Sequence, residues 1–227
     1  MATKIAMKPR IARHRVREEI QRGILSGERK SGDRLSQQNL ARELGVAQGT
    51  VRESLLELQW LGLVESVDRL GVFVGSLDAA RICEAYELRE VLEGLAARLA
   101  CNHAARADVA ALRGMANNIL QLARENKTRE MGTLDRAFHL QITNLSHNTI
   151  LTRLAETYRV LGMVVRASRD PDVVREEHLR IIEAIEHNFA DEAERLARQH
   201  VAEARRMIEQ QTERGDFTPQ WVTDHLA

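Results

Sequence analysis

The chain has 227 residues, of which 44% are hydrophobic, 4% aromatic and 29% charged, and its formal net charge at pH 7 is zero. This length suffices for one large domain or two small ones, and the hydrophobic content argues against intrinsic disorder. Few aromatic residues, only 3 prolines and abundant Ala, Leu, Arg and Glu favour helices over β-sandwiches or barrels. We therefore predict a mainly α-helical protein.

Targeting and membrane segments are not expected. No apolar run approaches the roughly 18 residues of a membrane span. The N-terminus is basic up to Arg17, but no apolar region or cleavage pattern follows, so no signal peptide is predicted and an organellar transit peptide stays an alternative. Cys83 and Cys101 fall in one predicted helix, about 27 Å apart at 1.5 Å per residue. They cannot pair within it, which fits a reducing cytoplasm.

Charge divides the chain into a basic first part and an acidic second part. Residues 1–76 hold 13 Lys and Arg against 9 Asp and Glu, and the remaining 151 residues hold 20 against 24. This distribution is expected if only the first part binds a polyanion, although chance is an alternative for so modest an excess. We predict two domains, a polyanion-binding one over residues 1–75 and a second one over residues 76–227.

Three helices are predicted in the first domain. Apolar residues recur at helical spacing over residues 10–25. Ser36 is suited to be the N-cap of a short second helix that Gly45 ends, and a third helix runs to about Leu61. Two short helices joined by a glycine-containing turn are typical of a helix-turn-helix. Residues 63–66 and 72–74 then predict a two-stranded wing with Gly71 at its tip.

The second helix of such a motif enters the major groove of DNA, with residues at its start facing base edges. Gln48, Thr50 and Arg52 occupy these positions, and Gln and Arg can each bond a base through two atoms. Arg34, before the motif, and Arg69, in the wing, are expected to contact phosphates or the minor groove. The predicted partner is double-stranded operator DNA, with protein docking as the alternative use of a three-helix unit.

An antiparallel bundle of about six helices is predicted from residue 76 onwards, with no convincing strand. Asp170 and Pro171 supply an N-cap and a first-turn proline, and Asn188 is expected to cap the last long helix. Short loops between the helices favour antiparallel packing. The predicted helices span residues 77–102, 107–125, 129–145, 150–167, 171–187 and 189–212.

Four polar residues lie on the predicted interior faces of this bundle. Asp135 and His139 share one face at i, i+4, and His178 and His200 fall in register with the apolar residues of their own helices. Burying three imidazoles and a carboxylate is unfavourable unless they are hydrogen-bonded, paired or coordinated. One divalent transition metal, such as Zn, Ni, Fe or Mn, would satisfy all four. For any single histidine, an ordinary hydrogen bond is the alternative.

Residues 32–65 contain the segments GDRL and VRE, at Gly32 and Val51. With the residues around them they resemble the winged helix-turn-helix of the GntR family of bacterial transcription regulators, over roughly residues 10–75. The resemblance implies a homodimer on a palindromic operator, in the cytoplasm and at the nucleoid when DNA-bound. Many members have arginine where this chain has Gln48, and threonine-proline where it has Gly49 and Thr50. The operator sequences of relatives are therefore not transferred.

Residues 77–212 resemble the FCD ligand-binding domain of the FadR subfamily, which is all-helical. Asp135 and His139 in DRAFH, His178 in EEHLRII and His200 in ARQHVAEA match the metal-binding pattern of that domain. The resemblance implies that a metal is bound and that a small organic acid is sensed.

The same resemblance implies an arginine near the metal that binds the carboxylate of the effector. Arg89, in YELREVLEGLAA, occupies the matching place. An ordinary surface ion pair is the alternative for Arg89, and Arg159 and Arg166 are further candidates for the same role.

Three functions remain in competition. The first is a transcription regulator, with repression favoured over activation, whose operator affinity changes when a small carboxylate binds at the metal. The second is a regulator that senses the metal directly. The third is a metalloenzyme built on the bundle, which lacks a distinct general base or nucleophile and would not need a basic DNA-binding domain, so we predict that the chain is not an enzyme.

Overall fold

The computed structural model describes residues 9–25, 27–76, 78–162 and 169–217. The chain divides into two compact units, and the division falls between residues 77 and 78. Both units are built mainly of helices, and each contains its own buried apolar side chains. The predicted mainly α-helical fold class is confirmed.

The first unit consists of three helices and a small antiparallel sheet, as predicted. Its elements are α1 (Pro9–Leu25), α2 (Gln37–Leu44), α3 (Gln48–Trp60), β1 (Val64–Val67) and β2 (Gly71–Val74). Helices α1 and α3 pack together and α2 packs on α3, because each helix presents an apolar face. The buried side chains of these helices include Val16, Ile20, Ile24, Leu40, Val51, Leu55 and Leu58.

The ends of α2 are set by the two residues that the sequence indicated. The hydroxyl of Ser36 accepts a hydrogen bond from the N–H of Asn39, at 3.4 Å. Gly45 ends the helix in the left-handed conformation, with φ of 64°. Three residues separate α2 from α3, so this pair forms the predicted helix-turn-helix.

Each strand of the wing reaches one residue further toward the turn than predicted. Val67 pairs with Gly71, so Gly71 opens β2 with φ of 114° instead of standing at the tip, and Arg69 in the turn has φ of 62°. The glycine allows this because the positive φ strains other residues. Arg34 lies against this position, with its Nε 3.4 Å from where a Cβ of Gly71 would be.

The second unit consists of six helices in its described residues, as the sequence predicted. They are α4 (Ala79–Ala100), α5 (Arg106–Arg124), α6 (Thr128–Leu145), α7 (Thr149–Gly162), α8 (Pro171–Glu186) and α9 (Ala190–Glu213). The predicted end of α7, at residues 163–167, lies outside the described residues. Across the part of the chain that the structure describes, no helix is long and apolar enough to cross a membrane. Cys83 and Cys101 are both free thiols.

One predicted helix cap is confirmed and one is wrong. Asp170 caps α8, because its side chain accepts a hydrogen bond from the N–H of Asp172 at 2.9 Å. Asn188 does not cap α9. It takes the left-handed conformation after α8, with φ of 57°, and the N–H of Phe189 closes the end of α8 on the carbonyl of Ala184. Asparagine tolerates this conformation, which is why it can end a helix as well as begin one.

Helices α4 and α9 approach each other closely because small residues line both. Ala97 of α4 and Ala193 and Ala197 of α9 are buried in the core. Gly94 is also buried, and a Cβ there would come within 2.9 Å of Cδ of Arg198 and closer still to Cγ. The separation of the two helices is therefore set at Gly94.

We expect Gly94→Ala to lower the free energy of unfolding by about 1–3 kcal/mol, because the added methyl group overpacks the α4–α9 contact. Gly114→Ala is the matched control. Gly114 is exposed in the middle of α5 with nothing near its missing Cβ, so alanine should raise stability by up to about 1 kcal/mol through helix propensity. Urea unfolding followed by circular dichroism measures both, and equal gains in the two variants would contradict the close approach.

Candidate metal centre

Three helices of the second unit carry the four predicted metal ligands. Asp135 and His139 lie one turn apart on α6, His178 lies on α8 and His200 lies on α9. Each histidine offers a ring nitrogen, and these three atoms lie within 4.8 Å of one another. The carboxylate oxygens of Asp135 are 3.9 Å from Nε2 of His139 and 3.7 Å from Nε2 of His178. The structure therefore brings all four side chains together.

The cluster is largely withdrawn from water. His178 is completely buried, and the side chains of His139 and His200 are only 11% and 9% exposed. Nε2 of His178 lies 3.3 Å from Nε2 of His200, so the two lone pairs repel unless a proton or a cation lies between them. Three imidazole nitrogens and a carboxylate oxygen are a donor set that a divalent transition metal accepts. The residues present thus fit a metal ion.

Two glutamates that sequence reasoning missed contact the outer sides of these rings. Oε2 of Glu93, on α4, lies 2.9 Å from Nδ1 of His139. Oε2 of Glu177, on α8, lies 2.6 Å from Nδ1 of His200. For Glu93 the sequence offered one signal, its position one turn after the candidate Arg89 on the same helix. Glu177 contacts a residue on another helix, so the sequence gives no local signal for it.

His178 has no such partner. Its Nδ1 is buried without a hydrogen bond to any described residue. Burial, followed by the nearby charges of His200, His139 and Arg169, holds the pKa of His178 well below its ordinary value. Burial also lowers the pKa of His200, although the hydrogen bond with Glu177 opposes it. Both rings therefore favour the neutral form, which is the form that binds metals.

His139 and Glu93 form a more polar pair. Burial alone would lower the pKa of His139, but the charge of Glu93 and the hydrogen bond between them outweigh burial and raise it. Burial would likewise raise the pKa of Glu93, but Arg89 and His139 hold it well below its ordinary value. Glu93 is therefore a carboxylate throughout the physiological pH range. A metal at Nε2 of His139 would leave its Nδ1–H hydrogen-bonded to Glu93.

Arg89, the predicted carboxylate-binding arginine, lies near the centre but is already engaged. Its Nε donates a hydrogen bond to Oε1 of Glu93 at 2.9 Å, and its guanidinium carbon lies 4.6 Å from the centroid of the Tyr86 ring. The side chain is 16% exposed. Arg89 therefore reaches the histidine cluster through Glu93 and presents no free guanidinium.

A second arginine, which the sequence analysis did not single out, stands in a corresponding place. Arg169 forms an ion pair with Oε1 of Glu177, and its Nη1 lies 3.4 Å from the carbonyl oxygen of His200. Two further candidates for this role were predicted from the sequence. Arg166 and the side chain of Arg159 lie outside the described residues.

A pocket opens beside His139. It has room for about one water molecule. Its walls are mostly apolar, with polar groups from Glu93, His139 and Thr143, and Arg89 is not among the lining residues. The residues that line it are Glu93, Ala96, His139, Ile142, Thr143, Ile181 and Ala197.

The five predicted DNA contacts all lie in the first unit. Gln48 and Arg52 are exposed in the first turns of α3, and Thr50 is half-buried beside them. Arg34 is exposed against the wing, and Arg69 is exposed in its turn. Side chains at the start of a recognition helix and in a wing are available to DNA. The predicted DNA contacts therefore use no core residue of this unit.

Comparison with known proteins gives a match for each unit. Residues 12–74 match the family described as bacterial regulatory proteins, gntR family, and residues 84–212 match the FCD domain. The probable D-xylose utilization operon transcriptional repressor of Paenarthrobacter nicotinovorans is 29% identical over 191 residues, 82% of this chain and 84% of that protein. The Nta operon transcriptional regulator of Aminobacter aminovorans is 30% identical over 179 residues, 76% of this chain and 82% of that protein.

Solved structures share the fold. McbR/YncC of E. coli superposes with a TM-score of 0.68 at 22% identity, and the match covers 88% of this chain and 98% of that one. A putative transcriptional regulator GntR from Rhodococcus sp. RHA1 gives a TM-score of 0.63 at 24% identity, covering 87% and 97%. The order of elements in both units is therefore that of known regulators.

We expect acid to destabilise the metal-free protein through His178. Because its pKa is lower in the folded protein than the ordinary value of 6.5, the unfolded chain takes up a proton first as pH falls. Above about pH 6.5, His178 is neutral in both the folded and the unfolded chain and does not reduce the free energy of unfolding. Below that pH the free energy of unfolding falls, by at most about 1.4 kcal/mol per pH unit. His178→Ala should remove that part of the slope between about pH 6.5 and 5.

Ile182→Ala is the matched control, because it opens a cavity in the same helix without removing a titrating group. It should lower the free energy of unfolding at every pH and leave the slope unchanged. Urea unfolding in chelator at a series of pH values measures both variants. An unchanged slope in His178→Ala would show that His178 is not the group responsible.

Proposed function

We propose a ligand-controlled mode of action on the premise that this chain belongs to the GntR family of bacterial regulatory proteins and carries their FCD domain. It is a DNA-binding transcription regulator and not an enzyme, so the metalloenzyme alternative is set aside. The proposal concerns what controls DNA binding. Residues 1–75 bind the operator, and residues 76–227 bind a divalent metal and a small carboxylate that changes operator affinity.

The convergence of three largely buried histidine nitrogens, with the carboxylate of Asp135 beside two of them, carries the proposal. Asp135, His139, His178 and His200 would hold the ion, and Zn, Ni, Fe and Mn all suit this donor set. When bound, the ion supplies a positive charge and open coordination positions for an anion. The protein's own residues orient the donors, and the burial of the three histidines withdraws the site from water.

With a divalent ion bound, the charges around the site favour an anionic effector. Asp135, Glu93 and Glu177 contribute three negative charges, and Arg89 and Arg169 contribute two positive ones. With neutral histidines the net charge is −1, and a divalent ion changes it to +1. A carboxylate then neutralises a buried positive charge, which is favourable in a medium of low polarity.

The pocket beside His139 has room for about one water molecule, so it would have to widen to admit the carbon skeleton of an effector. Its alanine and isoleucine walls suit a short aliphatic chain, and the Thr143 hydroxyl can accept a hydrogen bond from a hydroxyl of the ligand. Arg89 remains the predicted carboxylate-binding side chain. Arg89 is hydrogen-bonded to Glu93, so it must break that bond before it can bind the carboxylate of the ligand.

DNA binding is assigned to α3 and the wing. Gln48, Thr50 and Arg52 would read base edges in the major groove, while Arg34 and Arg69 would contact the backbone or the minor groove. Regulators of this family typically act as dimers, and we propose a homodimer on a palindromic operator. Repression is the proposed mode, because the Paenarthrobacter nicotinovorans relative is named a repressor.

Direct metal sensing is the second candidate, and one observation favours it. Arg89 and Arg169, the two described arginines beside the centre, are both engaged by glutamates. If neither is released, no guanidinium is available to grip an organic acid. Binding of the ion alone would then set operator affinity, and the apolar pocket would only be a packing defect.

We expect Arg52→Ala to raise the Kd for the operator by about tenfold or more, since a bidentate base contact contributes about 1–3 kcal/mol. Fluorescence anisotropy on a duplex selected by the wild-type protein from random sequences measures this. Arg180→Ala, which removes one exposed charge from α8, is the control and should bind as wild type does. An Arg52→Ala variant with unaltered operator affinity would count against α3 as the recognition helix.

We expect zinc-loaded protein to be stabilised by a subset of small carboxylates in a thermal-unfolding screen, because a ligand that binds only the folded state raises Tm. His178→Ala should lose both zinc and the ligand response. His187→Ala, at the exposed end of the same helix, should keep both. A Tm that rises with zinc but with no carboxylate would favour direct metal sensing, and full zinc occupancy in His178→Ala would sink the site assignment.

A further inference from the structure

Two carboxylates next to the proposed metal ligands are each held between a histidine and an arginine. Oε2 of Glu93 lies 2.9 Å from Nδ1 of His139, and Oε1 of the same group accepts from Nε of Arg89 at 2.9 Å. The second glutamate repeats the arrangement on the other side of the cluster. The two oxygens of each carboxylate therefore have different partners, and each group forms the middle of an arginine–glutamate–histidine chain.

The second chain is built from other helices. Oε2 of Glu177 lies 2.6 Å from Nδ1 of His200, and Oε1 forms an ion pair with Arg169. Glu93 comes from α4 and Glu177 from α8, while the histidines that they contact lie on α6 and α9. Both contacts thus cross between helices, and neither is a by-product of local helix geometry.

A carboxylate at Nδ1 decides which ring nitrogen carries the proton. An ionised carboxylate only accepts hydrogen bonds, so Nδ1 must be the donor, and the lone pair of a neutral ring is then on Nε2. The Nε2 atoms are the ones that face the cluster, at 3.9 Å from Asp135 for His139 and 3.3 Å from Nε2 of His178 for His200. Both histidines are thereby set in the tautomer that a metal requires.

The arginines keep the two carboxylates ionised and fixed in direction. Arg89 lies against the Tyr86 ring and Arg169 is 11% exposed, so neither guanidinium is free to rotate into solvent. A planar guanidinium also fixes the plane of the carboxylate that it binds.

We propose that Glu93 and Glu177 are positioning residues of the metal centre, which hold His139 and His200 with Nε2 directed at the ion. This inference rests on the proposed metal site. It assigns no such carboxylate to His178, whose Nδ1 lacks a partner among the described residues. The ring of His178 is held by packing against Phe138, with the two ring centroids 4.2 Å apart. Loss of an outer-shell carboxylate of this kind lowers metal affinity by about 10–100-fold.

The test is zinc affinity, measured by competition with a chromogenic chelator, in the full chain and in Glu93→Gln and Glu177→Gln. In each carboxylate the histidine and the arginine bond to different oxygens, and a glutamine amide replaces one of these acceptors with a donor NH2 group. We expect a loss of about 10–100-fold in each variant. Glu90→Gln is the control, because Glu90 lies one turn before Glu93, pairs with Arg198 and contacts no ligand histidine; its affinity should stay within about twofold of wild type.

A readout that a purely structural role would not move is the histidine tautomer. Nitrogen-15 NMR of zinc-loaded wild-type protein should show the proton of His139 and His200 on Nδ1, and the glutamine variants should show a mixture or a weakened Nδ1–H hydrogen bond at the substituted side. Circular dichroism in chelator checks that each variant folds. The wild-type spectrum tests the inference even if a variant does not fold.

The outcomes separate this inference from the proposed function. If wild-type protein binds zinc and both glutamine variants bind it equally tightly, the positioning role is overturned while the metal centre stands. A proton on Nε2 of His139 or His200 in the wild-type protein would overturn it as well. If the wild-type protein binds no zinc, the proposed metal site and the inference fall together.

Discussion

The second unit is organised around the need to accommodate three imidazoles and a carboxylate inside a helical bundle. Such groups lose the hydrogen bonds of water on burial, and that loss must be offset within the protein. Here the outer nitrogens of His139 and His200 bond to glutamates, and the inner nitrogens face one another.

This organisation determines what a regulatory ligand can do. The free energy that an effector contributes to regulation is only the difference between its affinities for the two functional states, typically about 1–3 kcal/mol. A buried site whose donors are already oriented can respond to small displacements, because its contacts are either made or lost. The pairing of Arg89 with Glu93 is such a contact: a carboxylate ligand that drew the guanidinium away would also change the outer partner of His139.

Periodicity and local chemistry were sufficient for most of the fold. Apolar spacing located the helices, and Ser36, Gly45 and Asp170 marked helix ends because capping depends on a few neighbouring residues. Asn188 was assigned to the wrong helix end, since asparagine suits both an N-cap and the left-handed position after a helix. Each strand of the wing extends one residue further toward the turn than the sequence predicted. Strand register depends on pairing across the turn, and Gly71 permits its own pairing with Val67.

The candidate site could be predicted only in part, and for a related reason. Asp135 and His139 share a face at i, i+4, and His178 and His200 follow the apolar register of their helices. The sequence therefore predicts that all four side chains point into the bundle. Glu93, Glu177 and Arg169 act through contacts between helices. Apart from the position of Glu93 one turn after Arg89, nothing in the local pattern distinguishes them from the many surface acids and arginines of the chain.

The arrangement of the rings implies that the proposed metal would affect the stability of the bundle as well as its regulation. With Nδ1 of His200 bonded to Glu177, its Nε2 lone pair points at Nε2 of His178, 3.3 Å away. Without an ion, one of these atoms must carry a proton, and a proton on Nε2 of His178 leaves its buried Nδ1 as an acceptor without a partner. An ion accepts both lone pairs at once, so the free energy of metal binding is in part free energy of folding. On the proposed metal site, the lone pairs of these rings would all be satisfied only when the ion is bound.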